Sequence, residues 1–127
     1  PGFAAHIQAS AGSPRNTGDA PLELICHEAS HEATVGERIT KMIAEECERQ
    51  KLSVPPSLWH SMIMFTSGAV ARRELENAGR PGYRSYVDRY DQLPQVERSA
   101  FERHWQPYLN GESSFEKALH DLVRNAR

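Results

Sequence analysis

From Leu58 to Ala71 the chain is apolar on nearly every side, with Trp59, Met62, Ile63, Met64, Phe65 and Val70 spread around a helical circumference. A helix that is hydrophobic all round has to be enclosed by other elements. The segment therefore predicts a buried central helix over about Leu58 to Ala78 and makes the rest of the chain its cover. Val54-Pro55-Pro56 ends the preceding run and Ser57 stands where a cap is expected. With 127 residues, there is material for one domain with one core and not for two.

The covering elements read as helices. Leu22, Ile25, Ala29, Ala33, Gly36, Ile39, Ile43 and Cys47 recur at three- and four-residue spacing, which predicts one long amphipathic helix from about residue 21 to about 50. Asp19, Pro21 and Glu23 supply its start signals. On a continuous helix Cys26 and Cys47 would lie roughly 30 Å apart, far beyond disulfide reach, and only a break at Gly36 would change that. After Gly79-Arg80-Pro81-Gly82 a connection bearing Tyr83, Tyr86 and Tyr90 leads into a helix from about Gln95 to Leu109. Asn110-Gly111 stops it, and Ser113 or Ser114 caps a last amphipathic helix carrying Phe115, Leu119, Leu122 and Val123. Residues 3–10 are the one strand-like piece, with Phe3, Ala5 and Ile7 on one face. The expected class is mainly α (α+β): a single domain over 1–127 with one N-terminal edge strand.

Fifteen Lys and Arg against seventeen Asp and Glu give a net charge of -2, without the basic excess of a nucleic-acid binder. No run of ~18 apolar residues offers a membrane span. Two cysteines do not fix a compartment. Pro1 in place of an initiator Met reads as a processed or trimmed chain, and a secreted or periplasmic setting is expected ahead of a cytoplasmic one.

The sharpest local signal is His27-Glu28-Ala29-Ser30-His31, an HExxH pattern on a predicted helix. At ~100° per residue the two imidazoles share one face a turn apart and can reach one metal ion. Glu28 points beside them, where a carboxylate can take a proton from metal-activated water without becoming a ligand. Ile25, Ala29 and Gly36 fall roughly opposite His27, so the helix is expected to bury its apolar face and offer its metal face to a cleft. The competing reading is a solvated helix face decorated by two His and several Glu, and Glu32 directly after the second His is unusual in zinc peptidases. Catalytic Zn2+ takes three protein ligands and keeps one position open. His60 is the expected third, because an imidazole at the head of the buried helix needs a partner.

The segments Ala5-His6-Ile7 through Asn16-Thr17-Gly18, Leu22 through His31, Pro55-Pro56-Ser57-Leu58-Trp59-His60, Phe65-Thr66-Ser67-Gly68 and Trp105 through Gly111 resemble a poorly characterised family of bacterial HExxH proteins. That family is assigned to the zincin-like, gluzincin-type metallopeptidases. The resemblance covers most of the chain and implies a zinc-dependent peptidase acting on peptide or protein substrates. In gluzincins the third ligand is a Glu on a helix after the HExxH helix, which makes Glu74 the rival to His60. The family pattern places Glu directly after the Thr-Ser/Ala-Gly element, where this chain has Ala69; that departure favours His60.

A peptidase also needs a donor for the oxyanion that develops at the scissile carbonyl. Tyr83 is the candidate for that role, from a trio with Tyr86 and Tyr90 that can return over the cleft; the competing reading is that all three are half-buried amphipathic side chains packing a long connection. His104 and Trp105 are expected to pack between the last two helices. His6 and His120 have no partner legible in sequence. The strand at 3–10 would need to pair with a missing upstream segment, a second chain or bound substrate, so the chain is either a minimal helical zincin or the later part of a longer protein. Two other classes compete: a non-catalytic zinc-stabilised binding domain, closed by a fourth ligand, and a metal-free helical interaction module.

Overall fold

The computed structural model describes residues 12–127. Its helices are α1 (Ala20–Ser30), α2 (Ala33–Arg49), α3 (Leu58–Asn77), α4 (Tyr86–Tyr90), α5 (Gln95–Ala100), a π-helical turn (Phe101–Trp105), α6 (Gln106–Leu109) and α7 (Phe115–Asn125). The protein is mainly helical, and there is no strand among the described residues. The edge strand expected over 3–10, with His6, lies outside the described residues. No helix among the described residues is long and apolar enough to cross a membrane.

As its composition requires, α3 is central: Leu58, Met62, Ile63, Phe65, Ala69, Ala71 and Leu75 are buried along it. It packs against α1, α2, α4 and α6. The main core joins Met62 and Phe65 to Ile43 and Cys47 of α2, Phe101 and Trp105 of the π turn, and Leu119, Leu122 and Val123 of α7. The Phe65 and Phe101 rings stack at 5.1 Å. Ser114 caps α7 by accepting from the Lys117 N–H, and Gly111 turns the chain before it at φ +77. Ser57 and Asp19 occupy their cap positions without capping. The Ser57 hydroxyl donates to Glu97 at 3.4 Å and Asp19 pairs with Arg80 at 2.7 Å.

The expected single helix over 21–50 is two helices. The chain leaves helical geometry at Glu32 (φ -54, ψ 136), whose carboxylate accepts from the Thr34 N–H and caps α2. Thr34, Val35 and Gly36 are weak helix formers just beyond, so the helix ends where an acceptor can hold the next turn, not at Gly36. The break frees α2 to lie against α7 and bury Ile43 and Cys47. Cys26 and Cys47 remain free thiols. Glu46, expected on the metal helix, is on α2. It is buried there against Gln50, Arg49 and His120, which supplies the partner His120 lacked in sequence. Burial pushes the Glu46 carboxyl up, but these hydrogen bonds and Arg49 outweigh it and leave it below the usual range.

A second interruption falls inside the helix expected over 95–109. Pro107 has no N–H to donate and its ring crowds the carbonyl four residues back. The preceding turn widens, so that the Gln106 N–H reaches the Phe101 carbonyl. Trp105 is thereby turned inward, donating from Nε1 to Thr66 Oγ1 on α3 at 3.0 Å. His104 faces Asp121 of α7 at 3.9 Å.

Candidate metal centre

The helix α1 runs antiparallel to α3, with Glu23 against Gly68 at one end and His27 against His60 at the other. Its buried face carries Ala20 and Glu23, while Leu22 and Ile25 are 39% and 45% exposed. This reverses the expected orientation: the face bearing His27 turns toward the central helix, and the Leu22-Ile25-Ala29 stripe turns outward. Tertiary contacts decide this, because Glu23 finds partners inside that hydropathy alone cannot reveal. Its carboxylate accepts from the Tyr83 hydroxyl at 2.7 Å and from the Tyr86 N–H at 3.0 Å.

Gly68 makes the approach possible. A Cβ there would lie 2.6 Å from Ser85 Cβ and 2.9 Å from Glu23 Oε1. Gly68→Ala gains roughly 1 kcal/mol of helix propensity but forces these groups apart, at a typical cost of about 1–3 kcal/mol for overpacking. The net outcome expected is a melting temperature several degrees lower, read by calorimetry. An unchanged or raised value would show that the α1–α3 contact is loose.

Burial holds the Glu23 carboxyl above the usual carboxylate range, despite the hydrogen bonds from Tyr83 and Tyr86 that pull it back. With the folded pKa above the unfolded one, the folded chain keeps a proton the unfolded chain gives up. This group's stabilisation is therefore full below the unfolded value of 4.5 and is lost as pH rises through the folded value. Melting curves from pH 4 to 7 should show the native protein losing stability relative to Glu23→Gln as pH rises. Parallel curves would mean that Glu23 is as well solvated folded as unfolded.

One turn beyond Glu23, the three histidines converge. His27 lies in the last turn of α1, His31 at its C-cap and His60 in the first turn of α3. One ligand-capable atom from each of the three lies within 4.8 Å of the others. His27 Nε2 and His31 Nε2 are 3.0 Å apart, and the His60 ring centroid is 5.1 Å from each of theirs. Trp59 stands against His31 at 5.7 Å. Burial, and then its neighbouring imidazoles, hold His27 below the ordinary histidine range. Burial and then His31 do the same for His60, although Glu28 pulls the other way. Both rings are thus neutral near pH 7 and keep a lone pair to donate. A single shared proton can satisfy only two of three converging nitrogens. A tetrahedral ion with nitrogens at ~2.0–2.1 Å would hold its donor atoms about 3.3 Å apart, and the three present here lie within 4.8 Å of one another. The donor set fits zinc. Among the described residues no fourth His, Cys, Asp or Glu joins the three within that distance.

Glu28 lines a cavity of about 340 Å³ together with His27, Leu24, Met64, Tyr86 and Arg15. Glu74 is fourteen residues beyond His60 on α3, roughly 21 Å along the axis. It is exposed and paired with Arg73 at 3.2 Å, so it does not compete for the same ion. The place of Tyr83 does not support the oxyanion role. Its hydroxyl is committed to Glu23, accepts from Arg89 at 3.3 Å, and borders a different cavity. Burial and then the Glu23 carboxylate push that hydroxyl far above the normal tyrosine range. Tyr86 is the member of the trio that reaches the cavity beside His27; its hydroxyl donates to Asn16 Oδ1 at 2.8 Å. Sequence reading missed Glu23, whose signal was its i, i+4, i+8 register with His27 and His31. Comparison with protein-family models, curated proteins and solved structures finds no match to this chain.

Proposed function

We propose that the protein is a zinc-dependent peptidase of zincin type in which His27, His31 and His60 hold the ion and Glu28 is the general base. The observation that carries this reading is the convergence of three imidazoles, from two helices packed antiparallel, with a carboxylate lining the cavity next to them. Three ligands without a fourth among the described residues favour an open coordination position over a closed structural site. When bound, zinc supplies a Lewis acid that polarises a carbonyl and makes water acidic enough to ionise near neutral pH. The chain's own residues do the rest. Glu28 takes the proton from the attacking water and delivers it to the departing amide nitrogen, its carboxylate ending as it began. Leu24 and Met64 give the cavity apolar walls that exclude bulk water around that proton transfer.

The test is direct: metal analysis of protein purified without a His tag, then incubation of the zinc form with an unfolded protein substrate. One zinc per chain and chelator-sensitive cleavage are expected. A chain that holds zinc but cleaves nothing across a broad peptide library would return the site to the binding-domain reading. A chain that holds no metal would remove both zinc readings.

A further inference from the structure

Arg15, an exposed cation, borders the cavity beside the histidines without an ion pair to any described residue. Arg15 and Glu28 both line it, yet no ion pair joins them, and among the described residues no carboxylate lies within ion-pair distance of Arg15. The other carboxylate in the wall, Glu23, is occupied by Tyr83 and Tyr86. The Arg15 guanidinium is nevertheless placed. It lies over the Tyr90 ring at 5.1 Å, and Tyr90 packs on Tyr86 at 5.7 Å. The Arg15 carbonyl lies 3.2 Å from the Tyr86 hydroxyl and shares with the nearer Asn16 Oδ1 the one proton that hydroxyl donates. The segment carrying the cation is thus tied to the same tyrosine that walls the cavity, which limits the ordering cost of receiving a ligand.

We propose that Arg15 receives a carboxylate of the substrate, so that the preferred substrates are peptides bearing a negative charge within a residue or two of the scissile bond. The proposal rests on the peptidase reading for its substrate but not for its anion site. A guanidinium presents a planar fork of donors that matches a carboxylate. The cavity's 340 Å³ is near the small end of ligand sites, ~300–1,000 Å³, which suits a short stretch of peptide. Two groups carry this chemistry, a C-terminal α-carboxylate and an Asp or Glu side chain.

Calorimetric titration of the zinc-loaded Glu28→Gln protein, which should bind peptide without consuming it, tests the assignment. The probes are N-acetyl-Gly-Leu, its C-terminal amide, and N-acetyl-Gly-Glu amide, each measured with and without Arg15→Met. A charge-assisted hydrogen bond predicts that a carboxylate-bearing peptide binds about tenfold tighter than the uncharged amide. Arg15→Met should bring that ratio close to one. Any direct bond between carboxylate and zinc is common to both proteins and cancels in the comparison. Matching affinities for the free acid and the Glu amide assign a side-chain carboxylate as acceptable, whereas tight binding of the free acid alone assigns the chain terminus. Equal affinity for acid and amide in the parent, or a preference that survives Arg15→Met, overturns the proposal. An intact, Arg15-dependent preference in a protein whose native form hydrolyses none of these peptides would overturn the peptidase reading and leave the anion site standing.

Discussion

Glu28→Gln is expected to keep the fold and the zinc while hydrolysis falls by about 10²–10⁴-fold, the usual worth of a general base. Glu28 is half-buried, and its carboxylate makes no hydrogen bond or ion pair with the described residues, so exchanging that carboxylate for an amide removes a proton acceptor and little structure. Its charge acts on both His27 and His60, raising their proton affinity. Removing that charge makes both rings harder to protonate, which leaves these imidazoles at least as ready for a metal at neutral pH. The measurement is turnover of an unfolded substrate alongside zinc content by elemental analysis. Full activity in Glu28→Gln would exclude the base role even if zinc is bound. Lost activity accompanied by lost zinc would mean that the carboxylate helps hold the ion.

The second large effect expected is on metal affinity. His60→Ala should weaken zinc binding by at least about a hundredfold, beyond the 10–100-fold typical of losing an outer-shell partner. Glu74→Ala should leave it unchanged. The argument is distance: His60 is in contact with both other imidazoles, while Glu74 is far along the same helix and turned to Arg73. Because metal that binds the folded chain stabilises it by mass action, zinc should raise the melting temperature of the native protein and of Glu74→Ala, and not that of His60→Ala. Competition titration against a chelator of known affinity gives the constants. Zinc bound equally by His60→Ala would show that two histidines and another group suffice, and the triad would be abandoned.

Several features were legible before any coordinates. The near-uniform hydropathy of Leu58–Ala71 could only belong to an enclosed helix, and α3 is that helix. Gly111 and Ser114 announced a helix stop and a cap, both of which form. The i, i+4 spacing of His27 and His31 placed two imidazoles on one face, and the third ring beside them is that of His60. The helical readings succeeded because each depends on helical periodicity or on one residue's local preference.

What failed did so for a different reason. A stripe running from Leu22 to Cys47 cannot show that the chain turns at Glu32, since Glu is a poor N-cap by propensity and acts as one here only through the Thr34 N–H. Nor can hydropathy rank Glu23 above Ile25 for burial, when the partners that repay burying a carboxylate, Tyr83 and the Tyr86 N–H, lie about sixty residues away. The same long-range pairing removed Tyr83 from the cavity and brought Tyr86 to it. Sequence by itself determined which stretches are helical, the enclosed one among them, though not where the first is broken, and the chemical character of the HExxH turn, all set within a few turns of backbone. Tertiary structure alone decided which face of α1 meets α3, which tyrosine reaches the cavity and which cation borders it, because those depend on groups distant in the chain meeting at a close-packed interface that Gly68 permits.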